Sequence, residues 1–153
     1  MAKKILFAGL FVGLLDGAAA CINAYVSLGV QPRGVFKYIS SGLLGKAAYE
    51  AETLPVILGI IIHFIIAVTA TGIFYQFYKR YGQALRPVVL FGGIYGIWIW
   101  LFMNYVVIPL SLIGTYPSNL YQITIGLLVH VFVIGIPMAL LVRKIVRGKH
   151  MDF

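Results

Sequence analysis

Four stretches of the chain, Ile5 to Leu28, Pro55 to Phe77, Val88 to Leu112 and Ile123 to Val142, are almost unbroken runs of apolar side chains. Each is at least about 20 residues long, enough for a helix rising 1.5 Å per residue to cross a hydrocarbon layer about 30 Å thick. Within that layer backbone N–H and C=O groups find no water, so segments of this kind are helices. Composition closes the soluble alternative. Of the 153 residues, 61% are hydrophobic and 10% are charged, and four acidic side chains cannot furnish the charged shell of a soluble domain. Disorder is excluded for the opposite reason, an excess of apolar surface. The expected fold is all-α: one polytopic membrane domain over residues 1–153, built as a four-transmembrane-helix bundle.

The cations fall between the spans and alternate in density. Lys3, Lys4, Lys79, Arg80, Arg86, Arg143, Lys144, Arg147 and Lys149 lie on the side of both termini, nine in all, against three (Arg33, Lys37 and Lys46) on the other. The positive-inside rule then expects both termini in the cytoplasm, with the net charge of +8 serving topology and contact with anionic lipid. No basic domain or basic-aromatic interleaving points to nucleic acid. Met1 to Cys21 looks like a signal peptide ending in Ala18-Ala19-Ala20-Cys21. Asp16 interrupts its apolar run, however, and apolar character continues to Leu28, so the segment is expected to remain as span one. Cys21 is the sole cysteine, which excludes an internal disulfide and any CxxC motif.

The spans carry paired motifs. Gly59-Ile-Ile-Ile-His63 recurs as Gly126-Leu-Leu-Val-His130 at an offset of 67 residues, and Gly9-xxx-Gly13 recurs as Gly92-xxx-Gly96 at an offset of 83. An insert of 16 residues in the first outer loop reconciles the two offsets, which suggests two parallel repeats of one helical hairpin. Gly9, Gly13, Gly92 and Gly96 are expected to bring helices together. The insert, Arg33 to Glu50, repeats apolar residues at Val35, Ile39, Leu43 and Ala47, as an amphipathic helix on the outer face requires. Pro32 opens it. Gly42 and Gly45 make a broken or re-entrant segment the alternative, each weakening a helix by up to about 1 kcal/mol.

Polar side chains at bilayer depth must face the bundle or water, and an ionisable one costs about 2.5 to 3.5 kcal/mol near the centre. Asp16, Asn23, His63, Asn104 and His130 are therefore the candidate pocket residues. Asp16 has no Lys or Arg at its depth and is expected protonated or linked to water. His63 and His130 occupy matched positions in parallel spans and so share a depth. Both can be structural hydrogen-bonded histidines. Alternatively, facing across the bundle diagonal, they could ligate a b-type haem, with Gly59 and Gly126 leaving room for it. Two histidines are too few for a closed zinc site, although Asp16 could join them. Pro137 is expected to kink span four. Trp98 and Trp100 are expected in packing or facing lipid.

No hydrolase elbow, phosphate loop, HExxH or carboxylate pair is present, so no catalytic residue is expected. The spans Gly59 to Ala67, Tyr95 to Ser111 and Gly126 to Ala139, with Ser41-Gly-Leu-Leu-Gly45, resemble those of a family of four-span bacterial inner-membrane proteins of unknown function. The resemblance covers nearly the whole chain and implies a fold without an activity. Tyr49-Glu-Ala-Glu52 departs from it, where a glycine-rich stretch is expected. The expected role is a non-enzymatic inner-membrane protein enclosing a small polar pocket in the outer half of the bundle. It would bind a small ligand or a partner helix, and its partners would be the lipid bilayer and another membrane protein or a second copy.

Overall fold

A computed structural model describes residues 1–82 and 87–148; Arg86 and Lys149, counted above, lie outside the described residues. The described residues are all helical in their regular structure. Helix α1 (Ala2–Leu28) is span one, and α2 (Pro32–Leu44) with a 3₁₀ turn (Gly45–Tyr49) forms the outer segment. Span two is α3 (Leu54–Tyr81). Span three runs through α4 (Val88–Phe102), a π-helical turn (Met103–Val107) and α5 (Ile108–Leu110). Span four runs through α6 (Leu120–Val129), a second π turn (His130–Gly135) and α7 (Ile136–Gly148). All four are long and apolar enough to cross a membrane.

The boundaries have local causes. Gly29 ends α1 in the left-handed region at φ 66°, and Gly29 N–H and Val30 N–H return to the carbonyls of Tyr25 and Ala24. Span three stops at Leu110, two residues before the expected end, because Ser111 turns extended at ψ 176°. Span four starts at Leu120, three residues earlier than expected. Asn119 Oδ1 caps it by accepting from the N–H groups of Tyr121 and Gln122 at 2.9 and 3.2 Å.

The expected proline kink takes another form. Pro109 and Pro137 each follow a π turn, and the carbonyl four residues back (Tyr105 or Val133) lies within that turn. A proline lacks the N–H for that carbonyl and its ring presses on it, and the wider π turn makes the room. The outer segment also differs from expectation. Val35 and Ile39 face the bundle, but Leu43 and Ala47 are exposed, and the buried positions are Ser40, Ser41 and Ala48. A strict four-residue repeat drifts around a helix of 3.6 residues per turn, and at Gly45 the chain leaves the α-helix at φ 56°. Ser40 and Ser41 are tolerated in burial because their hydroxyls donate to the carbonyls of Lys37 and Tyr38.

Packing divides the bundle into two halves. Towards the termini, α1 packs on α3, α4 on α7, and α7 reaches both α1 and α3. Val12, Phe74, Tyr78, Val88, Met138, Ala139 and Val142 close the core there. Glycine makes the approach possible. A Cβ on Gly9 would lie 2.7 Å from the Val68 backbone, one on Gly13 2.9 Å from Phe64, and one on Gly92 2.7 Å from the Gly135 carbonyl. Gly96 abuts the carbonyl of His130 and the backbone of Val131. Tyr95 adds a polar tie by donating its hydroxyl to the Ala70 carbonyl at 2.8 Å. At the other end α6 diverges from spans one and two, and α2 lies against α3 over the gap.

Candidate functional site

The divergence of the outer halves leaves a cavity of about 380 Å³. Asp16, Asn23, His63, Asn104 and His130 all line it, so residues from all four spans meet there. Its inner end is apolar, formed by Val12, Ala70, Ile99, Ile134 and Met138, and Val35, Tyr38 and Ile39 of α2 cover the outer end. Most of the wall is apolar, with the polar groups as separate points on it.

Each polar side chain is pinned by the helix geometry around it. His63 is buried and its Nε2–H donates to the Gly13 carbonyl at 2.8 Å. Gly17 permits this, since a Cβ at position 17 would sit 3.2 Å from that nitrogen. Phe36 and Phe64 meet the imidazole edge-on, with ring centroids at 6.3 and 5.4 Å, and fix its plane. A carbonyl only accepts, so Nε2 carries the proton and Nδ1 is left on the side of Asp16, 4.0 Å from its Oδ2. That separation exceeds a hydrogen bond.

His130 opens the π turn of span four, and its Nδ1–H donates to the Gly126 carbonyl at 2.8 Å. Its free nitrogen is therefore Nε2. Asn104, in the π turn of span three, donates Nδ2 to the Trp100 carbonyl at 2.9 Å and keeps its Oδ1 unengaged. Asn23 stands higher, donating to Gln122 Oε1 at 3.0 Å and accepting from Ser27, which ties span one to the start of span four. At the lid, burial pushes the Tyr38 phenol up from its ordinary value, against the smaller opposing effect of its hydrogen bond to Thr115. The hydroxyl is thus neutral.

Haem does not fit this arrangement. The clefts at Gly59 and Gly126 that would admit a porphyrin are filled, by the Phe36 carbonyl and the Trp100 indole nitrogen respectively. The one free nitrogen of His63 faces Asp16. Nor do Asp16, His63 and His130 converge as ligands, since the described residues hold no group of three or more His, Cys, Asp or Glu able to hold a metal ion.

Three features of the site escape the sequence pattern. Trp100 is a buried cavity wall, not a lipid-facing or purely packing residue. Gly17 and Gln122 work through a backbone carbonyl and a side chain in another span. The signal for the π turns was present in Pro109 and Pro137, which follow the polar Asn104 and His130 by five and seven residues within apolar spans. π turns gather at functional sites because they re-aim side chains, and here they carry Asn104 and His130.

The fold and cavity define a multi-pass membrane helix bundle with a lidded chamber. No family model, curated protein or solved structure matches the chain.

Proposed function

We propose that this chain is a non-enzymatic component of the bacterial inner membrane that binds a small, mainly apolar molecule carrying a hydrogen-bond donor such as an ammonium group. The observation that carries the reading is the state of the cavity's polar atoms once internal hydrogen bonds are counted. His63 Nδ1, His130 Nε2, Asn104 Oδ1 and the Asp16 carboxyl are all left as acceptors. The donors left are the second N–H of Asn104 and of Asn23, the Tyr38 hydroxyl of the lid and the Trp100 indole N–H, which abuts Gly126, and none of them carries a charge. No Lys or Arg lines the cavity, so an ammonium would supply the counter-charge that Asp16 lacks. The Trp100 and Tyr38 rings suit the same cation. The volume lies within the range of about 300 to 1,000 Å³ typical of small-molecule sites, and the lid favours such a ligand over a partner helix.

Phenethylammonium is expected to stabilise the purified protein saturably in a thermal unfolding assay, and 3-phenylpropionate is not. Asp16→Asn should weaken the amine at least about tenfold, or about 1.4 kcal/mol. A carboxylate that stabilises as well as the amine would reject the reading.

Two structural proposals accompany it. The chain arose from two copies of one hairpin: offsets of 83 and 67 carry the close pair Gly13–Phe64 onto Gly96–Val131, and Gly9–Val68 onto Gly92–Gly135. Agreement of contact register supports common descent more strongly than short motifs. Both termini are cytoplasmic, on the charge asymmetry already given. In cells, a cysteine at Ser118 should react with an impermeant thiol reagent and one at Gly82 should not; the reverse would invert the topology.

A further inference from the structure

At the end of the bundle opposite the lid, a second groove of about 810 Å³ runs between α1 and α7. Its rim carries Lys4 from α1 and Arg143, Lys144 and Arg147 from α7. Among the described residues the one carboxylate within 4.0 Å of a basic nitrogen is Asp16, which faces the uncharged His63 ring far from this rim, so these four cations have no carboxylate partner among the described residues. The walls of the groove are apolar. Phe7, Phe11 and Leu140 remain 67%, 50% and 39% exposed, open to the membrane.

The vertical order of these residues matters more than their number. Phe7 and Phe11 lie three and seven residues beyond Lys4 on α1, and Leu140 lies three, four and seven residues before Arg143, Lys144 and Arg147 on the antiparallel α7, so on both helices the apolar wall sits about 4 to 10 Å deeper than the cations. Charge at the rim with an apolar channel below it is the outline of a phospholipid, with phosphate above and acyl chain beneath.

We propose that this groove is a binding site for one anionic phospholipid, its phosphate held by Lys4, Arg143, Lys144 and Arg147 and an acyl chain laid along Phe7, Phe11 and Leu140. The site is separate from the lidded cavity and does not depend on what that cavity binds. The charged groups bring the headgroup to this end of the bundle. The exposed aromatic rings then receive a chain that would otherwise lie among other lipids.

The test is native mass spectrometry of the detergent-solubilised protein with added phosphatidylglycerol or phosphatidylcholine. One retained adduct of phosphatidylglycerol is expected, with affinity at least tenfold above that for phosphatidylcholine. The variant K4Q/R143Q/K144Q/R147Q should lose that preference, whereas R33Q/K37Q at the opposite end should keep it. Equal retention of both lipids, or an unchanged preference in the fourfold variant, would overturn the site. Should the fourfold variant fail to fold, the native protein decides. A phosphatidylglycerol bearing a diazirine in its acyl chain should crosslink to Phe7, Phe11 or Leu140 above the level of the phosphatidylcholine analogue. Crosslinks spread evenly around the bundle would overturn the site as well.

Discussion

Gly96→Leu is expected to abolish the native packing of spans three and four. Gly96 lies directly against the His130 carbonyl and the Val131 backbone, with Gly92 and Gly135 meeting one turn away. Any side chain there meets peptide groups, which cannot rotate aside as a side chain can. Insertion into a packed core costs about 1 to 3 kcal/mol where neighbours can adjust, and backbone contact puts this substitution at or above the upper figure. The displaced carbonyl belongs to His130 itself, so the cavity is lost with the fold. Thermal unfolding in detergent should show either no cooperative transition or one far below that of the parent protein. A variant with an unchanged transition would mean that the helices are not in this register.

Gly59→Leu should act on the lid and leave the four spans assembled. The Phe36 carbonyl of α2 rests on Gly59, so leucine cannot enter unless α2 lifts. At its far end α2 is held by a backbone bond from Leu112 N–H to the Gly42 carbonyl at 3.0 Å, which makes partial hinging the cheaper response. With Cys21 replaced by serine and Ile39 by cysteine, Gly59→Leu should raise the rate of reaction with an impermeant thiol reagent at least about tenfold, a shift of about 1.4 kcal/mol in the opening equilibrium. An unchanged rate would show that α2 does not close the cavity. The two glycines thus separate assembly from access.

The spans were legible because lipid imposes a length and an apolar composition that no local preference can mask. The five polar residues were legible for the related reason that each is costly in hydrocarbon, so each must find an interior. What the sequence could not supply was the partner of each group. His63 binds a carbonyl fifty residues away, and only the absence of a side chain at Gly17 lets it do so. Gly59 and Gly126, read as space for a cofactor, are spaces already taken by Phe36 and Trp100. A glycine in a span announces close approach without saying what approaches. The outer segment shows a different limit: its spacing gave a helix with one bundle-facing side as far as Ile39, but a four-residue repeat drifts around a 3.6-residue helix and carries Leu43 off that side, and the break at Gly45 then removes Ala47.

In this structure both imidazoles donate their proton to backbone carbonyls and offer lone pairs to the cavity. Nitrogen-15 NMR of protein labelled in histidine, assigned with His63→Gln and His130→Gln, measures this at about pH 8.5, above the ordinary imidazole pKa of about 6.5. His63 should carry its proton on Nε2 and His130 on Nδ1, and phenethylammonium should shift the unprotonated nitrogen of at least one ring. The opposite tautomers, or rings indifferent to a saturating amine, would contradict this arrangement.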